Sequence, residues 1–143
     1  MKPLLLTIGL FLLLPVSLAY AQAVPIEVQV IQASREPSGA VDPAIRSLVS
    51  ELQRSFAYTN YRLLEVHKGQ VSPQSPWRTV IAGGRNLTVE LMELMGADQK
   101  RVKLEIKTPG VNTRVSLQRG GRPILLGGPA HGPGVLIMAI SAR

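Results

Sequence analysis

The chain has 143 residues, and its 16 basic and 9 acidic side chains give a formal net charge of +7. It contains no cysteine, which excludes disulfides and cysteine-ligated zinc sites. Two distant histidines and two aspartates, Asp42 and Asp98, do not form the ligand clusters that bind zinc or calcium. We therefore expect neither a metal nor a cofactor.

The first 21 residues have the three parts of a cleavable secretory signal peptide. Lys2 supplies the positive charge, residues 4–18 form the apolar run, and a small-x-small motif ends at Ala21. A second cleavage register ends at Ala23. The alternative is a membrane anchor, but the apolar run is shorter than the ~20 residues that span a bilayer and contains Pro15. We therefore expect export to the periplasm or the extracellular space, with no transmembrane segment after cleavage.

Cleavage after Ala21 leaves residues 22–143, enough for one small domain, and loss of Lys2 lowers its formal charge to +6. Because exported eukaryotic domains of this size usually carry disulfides, the absence of cysteine favours a bacterial envelope. We expect an α+β fold, in which an N-terminal β-α-β unit is followed by an antiparallel β meander or sandwich packed on one helix.

The N-terminal third supports the β-α-β expectation. Residues 26–31 alternate apolar and polar side chains, which predicts a strand. Asp42 and Pro43 are suited to the N-cap and the first position of a helix that ends near Phe56. Residues 61–66 predict the next strand. Tyr58 and Tyr61 are expected to pack the end of the helix onto the sheet.

Short alternating segments follow, separated by turn residues, and predict the antiparallel meander. The segment 87–94 is also compatible with a helix. The last segment, which is apolar throughout, predicts a central strand buried on both faces or one whose second face meets the helix. The predicted strands are residues 77–82, 87–94, 101–107, 113–118, 123–126 and 135–140, with a long glycine-rich loop at 127–134.

Neither histidine lies in a recognisable catalytic motif. No serine occupies a Gly-x-Ser-x-Gly elbow, and His131 is expected to be a solvent-facing histidine of the glycine-rich loop. That loop leads into a strand instead of a helix, which excludes both the Walker and the dinucleotide-binding motifs. A hydrolase would require His67 or His131 to meet a serine and an acid in one pocket. We therefore expect no catalytic residues.

Basic side chains are concentrated in the meander. If the outward positions of neighbouring strands share one face, they form a positive patch that could bind an anionic envelope component. The alternative is a solvated face that keeps the protein soluble. Nucleic acid is not expected as a partner, because the compartment and the scarcity of aromatic residues disfavour it. The candidate ligand-binding residues are Arg78, Arg85, Arg101, Lys103, Lys107, Arg114, Arg119 and Arg122.

Two stretches carry a resemblance to small exported bacterial proteins of uncharacterised function. They are residues 41–66, which include Val-Asp-Pro-Ala-Ile and Ser-Phe-Ala-Tyr-Thr-Asn-Tyr, and the C-terminal Gly-Val-Leu-Ile-Met-Ala-Ile-Ser. The β-α-β opening resembles in topology the ring-building domains of secretins. Neither resemblance implies catalytic residues. We expect a non-enzymatic protein that acts through protein–protein or envelope contacts, with binding of an anionic ligand as the second hypothesis and a hydrolase as the third.

Overall fold

The computed structural model describes residues 23–143, so the predicted signal peptide lies outside the described residues. Eight strands and one short helical segment make up this part of the chain. The helical segment is a 3-10 helix, Pro43–Leu48, that continues into the helix α1, Val49–Ser55. The strands are β1 (Val24–Ser34), β2 (Asn60–Val71), β3 (Trp77–Ile81), β4 (Arg85–Met95), β5 (Arg101–Thr108), β6 (Val111–Gln118), β7 (Ile124–His131) and β8 (Gly134–Ala142).

The strands form two four-stranded antiparallel sheets that pack face to face. The first sheet has the order β2-β1-β8-β7, and the second has the order β3-β4-β5-β6. The protein is therefore mainly β with a little helix. The expected β-α-β unit is corrected, because β1 and β2 pair directly and antiparallel along their whole length, from Val24 opposite Val71 to Ser34 opposite Asn60. The ambiguous segment 87–94 is strand, as part of β4.

The main core lies between the two sheets. Successive side chains of a strand point to opposite faces of its sheet, so every second side chain of each strand enters this core. Val102, Leu104 and Ile106 of β5 are fully buried there, and Leu117 of β6 is 3% exposed. Opposite them, β1 and β8 contribute their own alternating apolar side chains. This arrangement of two sheets around one apolar layer is a β-sandwich.

The helical segment covers the second face of the first sheet and forms a smaller core there. β8 lies between β1 and β7, and its side chains enter both cores. Leu136 and Met138 face the second sheet, whereas Ile137 and Ala139 face the helical segment. A strand that is buried on both faces has a continuous run of apolar residues. The prediction that the last strand is a central strand buried on both faces is therefore confirmed.

The start of the helical segment agrees with the sequence, but its geometry is less regular than expected. Asp42 is the N-cap and accepts a hydrogen bond from the amide of Ala44 at 3.0 Å. Its second carboxylate oxygen accepts from the amide of Leu63 at 3.3 Å, which ties the cap to β2. Ile45 has φ −116° and ψ 17°, outside the helical range, and this interrupts the predicted single helix.

The long glycine-rich loop at 127–134 is also corrected. β7 runs through most of it to His131, with a register shift between Gly127 and Ala130 that accommodates one extra residue as a bulge. The turn consists of Gly132 and Pro133 alone. Gly132 has φ +54°, and proline fixes a negative φ at the next position, which is the pattern of a type II′ hairpin turn.

Candidate functional site

Five of the eight predicted basic residues share the outer face of the second sheet, which is the face turned away from the first sheet. The strand register aligns the outward side chains of β3, β4, β5 and β6 in rows. Each of these residues alternates with buried or half-buried neighbours on its strand, which face the first sheet. The five residues on this outer face are Arg78, Arg101, Lys103, Lys107 and Arg114.

The other three basic residues lie elsewhere, so the eight do not form one patch. Arg85 pairs with the buried Ile81 and points between the sheets. Arg119 follows β6 and donates to the carbonyl oxygen of Arg143 at 3.0 Å. Arg122 lies 3.8 Å from the carboxylate of Glu51 on α1.

Three carboxylates interrupt the basic outer face. Glu90 and Glu105 lie directly opposite each other on β4 and β5, and Glu93 lies opposite Lys103. The Glu105 side chain is 12% exposed and binds two of the cations, Lys107 at 3.4 Å and Arg114 at 3.7 Å. The face is therefore a mixed-charge surface.

The charges on this face are unevenly divided. The half formed by β5 and β6 carries four of the five cations and one carboxylate, Glu105, which gives it a net charge of +3. The half formed by β3 and β4 carries Arg78 with Glu90 and Glu93, which gives −1. The positive half therefore borders the free edge of β6.

The backbone of β6 leaves polar groups without a strand partner. The amide of Arg119 donates to the carbonyl of Lys100 at 2.7 Å, in register with the β5–β6 pairs. In an antiparallel ladder the bonded residues alternate, so odd-numbered β6 residues bond to β5. The amides and carbonyls of Asn112, Arg114 and Ser116 therefore point away from β5, and we call these groups the β6 edge. Within residues 23–143 they have no backbone partner.

The other three edge strands are protected in ways that natural sheets commonly use. β7 has a bulge and contains Pro129, and β3 has only five residues. β2 has a register shift opposite Val30 and Ile31, and the amide of its Tyr61 is bound by the carbonyl of Ala40 at 3.0 Å. β6 has eight residues, no proline, no register shift and a single charged side chain.

His131 is half-buried at the end of β7 and is held by Arg85, which corrects the expectation of a free loop histidine. The Nη1 atom of Arg85 lies 3.2 Å from Nδ1 of His131. Because a guanidinium can only donate, this bond uses Nδ1 as the acceptor and places the ring proton on Nε2. The contact joins the two sheets.

A cavity of about 540 Å³ lies at the end of the first sheet beside His131, and most of the residues that line it are polar. Gln32 donates to the His131 carbonyl at 3.0 Å and accepts from Arg62 at 2.9 Å. Asn60 donates to Ser38 at 2.7 Å and to Glu36 at 3.3 Å. These side chains therefore satisfy one another and hold the loop before the helical segment against the sheet.

His67 lies at the opposite margin of the sandwich, where β2 faces β3. Its Nε2 contacts the carboxylate of Glu65, and its Nδ1 lies 3.2 Å from Oγ1 of Thr79. A hydroxyl, an imidazole and a carboxylate in this order resemble the relay of nucleophilic enzymes, although the hydroxyl belongs to a threonine. The spacing of Glu65 and His67 on one strand face was readable in the sequence, but the contact with Thr79 depends on how the sheets pack.

Three further findings concern the whole described chain. Among residues 23–143, no three histidine or acidic side chains are grouped so that they could hold a metal ion. No helix in the same range has the length and apolar character needed to cross a membrane. No family model, curated protein or solved structure matches the chain.

Proposed function

We propose that this is an exported, non-enzymatic protein of the bacterial periplasm or envelope that acts through protein–protein contact. The predicted signal peptide supports the location. The observation that carries the mode of action is the β6 edge, whose six outward backbone groups are available to a partner. Such edges bind extended segments of other proteins by adding a strand to the sheet.

The edge is a stronger candidate than the basic face as a whole. Natural sheets block exposed edges because these otherwise pair with other chains. Three of the four edge strands here are shortened, bulged or covered, whereas β6 has an uninterrupted register and an open edge. Because only the β6 edge lacks such protection, we infer that it binds a partner.

Binding of an anionic envelope ligand is the second candidate function, and the net charge of +3 on the β5–β6 half favours it. Against it, Glu105 already neutralises part of this charge through Lys107 and Arg114. Ligand binding through exposed charges would weaken steeply as the salt concentration rises. A contact made by backbone hydrogen bonds would depend less on salt.

The hydrolase remains the third hypothesis. The hydrogen-bonded partner of His131 is a cation, Arg85, instead of a serine or an acid. His67 has an acid and a hydroxyl beside it, but its hydrogen bond to Thr79 also joins β2 to β3. A structural role accounts for both histidines.

The experiment that tests the proposal is site-specific photo-crosslinking in the cells that make this protein. A photoreactive amino acid replaces Asn112 at the β6 edge or, as a control, Val80, which is 55% exposed on β3. We expect position 112, and not position 80, to crosslink to one envelope protein.

The crosslink should be lost in a Ser116→Pro variant, because proline removes an outward amide without removing a bond to β5. A Ser116→Val variant keeps that amide and should retain the crosslink. Crosslinks of equal yield at both positions, or a crosslink that Ser116→Pro leaves intact, would contradict the proposal.

A further inference from the structure

We infer that the β6 edge binds an extended protein segment in which acidic and apolar residues alternate. This inference rests on the proposed function and specifies the chemistry of the partner. Three observations support it. The β6 edge has outward backbone groups without a strand partner, the β5–β6 half of the outer face is positively charged, and apolar side chains of β6 and β7 are only partly buried.

The charge favours acidic residues on one face of the added strand. A strand paired with β6 would place its outward side chains beside Arg114, whose side chain is 60% exposed. Lys103 and Lys107 lie one strand further on the same face, within reach of long side chains. Since this half of the face has a net charge of +3, glutamate or aspartate at these positions would gain favourable partners.

The margin between β6 and β7 favours apolar residues on the other face. β6 lies against β7 there, yet no backbone hydrogen bond joins these two strands in the described chain. Val111 and Val115 of β6 and Ile124 and Leu126 of β7 contact the main core but are only partly buried. An added strand with inward apolar side chains would cover these four residues and extend the core.

The opposite margin of the sandwich, between β2 and β3, is closed by contacts between the two sheets. There, Thr79 and His67 form a hydrogen bond between the sheets, and Trp77 packs directly on Gly69. On the β6 and β7 side, the hydrogen bonds between the sheets are made outside β6, by Gly120 to Ala142 at 2.8 Å and by Arg85 to His131 at 3.2 Å. The length of β6 between these bonds is therefore open to a partner, whereas the opposite margin is closed by its own residues.

The inference is tested with two labelled eight-residue peptides, one of alternating valine and glutamate and one of alternating valine and lysine. Binding to the full chain, purified after export, is measured by fluorescence polarisation. We expect the glutamate peptide to bind at least about tenfold more tightly than the lysine peptide. Equal affinities, or no binding of either peptide, would overturn the inference.

Three variants locate the binding site. Ser116→Pro should weaken binding of the glutamate peptide about tenfold, whereas Ser116→Val should change it by less than about twofold. Arg114→Glu leaves the backbone intact and should shift the preference toward the lysine peptide, so the test does not depend on the folding of the proline variant. Unchanged preference in Arg114→Glu would overturn the inference.

The outcomes separate this inference from the proposed function. If Asn112 crosslinks to a protein in cells but neither peptide binds, the contact exists and the inferred partner chemistry is wrong. If no crosslink forms, the proposed function itself fails. Sedimentation of the chain alone measures its oligomeric state. Self-association that Ser116→Pro abolishes would show that the β6 edge binds a second copy of the chain, and it would overturn the inference of an acidic partner.

Discussion

The guanidinium of Arg85 lies 3.2 Å from the imidazole of His131, and this contact joins the second sheet to the first. The same guanidinium donates to the carbonyl oxygens of Ala82 at 2.8 Å and Ala130 at 2.9 Å. One side chain thus satisfies two backbone acceptors, one in the turn between β3 and β4 and one on β7 of the other sheet. Its role is therefore structural, and the sequence had placed it on a ligand-binding face.

Replacing Arg85 with methionine should destabilise the sandwich. Methionine keeps an unbranched side chain but removes the donors to two carbonyls, so we expect the free energy of unfolding to fall by about 1–2 kcal/mol. Urea denaturation measures the change. Arg78→Met on the outer face is the control and should stay within about 0.5 kcal/mol of the parent. Equal losses in the two variants would contradict this assignment of Arg85.

The Tyr61 hydroxyl should stabilise the attachment of the helical segment. Tyr61 is 1% exposed, and its hydroxyl lies 3.2 Å from the carbonyl oxygens of Leu52, Phe56 and Tyr58. Tyr61→Phe should lower the free energy of unfolding by about 1 kcal/mol, as for a typical hydrogen bond. Tyr58→Phe keeps the ring that Arg35 covers and serves as the matched control.

The same residue predicts a dependence on pH. Burial raises the pKa of Tyr61 above its ordinary value of 10.0. The folded chain therefore holds the phenol proton more tightly than the unfolded chain, so this stabilisation is fully present below pH 10.0 and is lost as the pH rises through the folded-state pKa. Urea denaturation between about pH 8 and pH 11 should show a steeper loss of stability in the parent than in Tyr61→Phe. Identical slopes would contradict this prediction.

Thr79 should hold β3 to β2 through its hydrogen bond with His67. Thr79→Val keeps the shape of the side chain and removes the hydroxyl, so we expect a loss of about 1 kcal/mol in the free energy of unfolding. Thr88→Val on β4 is the matched control, because Thr88 lies on the outer face opposite Arg78. A result in which Thr88→Val costs as much as Thr79→Val would show that the hydroxyl contact does not stabilise the sandwich.

Gly69 is the position where a small residue is required by packing. A methyl group at Gly69 would overlap the indole ring of Trp77, the single tryptophan of the chain. Gly69→Ala should therefore cost about 1–3 kcal/mol and change the fluorescence of Trp77 in the folded protein. Gln70→Ala, at an exposed position of the same strand, should do neither. An unchanged fluorescence spectrum in Gly69→Ala would contradict the contact.

Local alternation in the sequence was enough to locate most of the strands, because most of them bury one face, and β8 was located by its continuous apolar run. The segments around Val102 and Leu117 alternate clearly and were correctly predicted as strands. The part of β7 from Gly127 to Ala130 was predicted as loop, since it has no alternation and contains proline. A bulge and the neighbouring β8 hold this segment in the sheet, and neither is visible in local sequence.

The site could be predicted less well than the strands, because it depends on long-range pairing. Arg85 was assigned to the outer face, but its pairing with Ile81 places it on the inner one. The pairing of β1 with both β2 and β8 joins residues far apart in the chain and replaces the expected β-α-β unit. The β6 edge consists of backbone groups, so side-chain patterns carry no signal for it.

The most direct test of the central claim is hydrogen exchange at the β6 edge of the unsubstituted chain, bound to the envelope protein that the crosslink at position 112 identifies. The amides of Asn112, Arg114 and Ser116 are compared in the isolated chain and in the complex, with the amides of β3 as the reference. We predict that the three β6 amides exchange at least about tenfold more slowly in the complex, because each gains a strand partner. Unchanged exchange at these amides, with protection appearing on β3 instead, would contradict the claim.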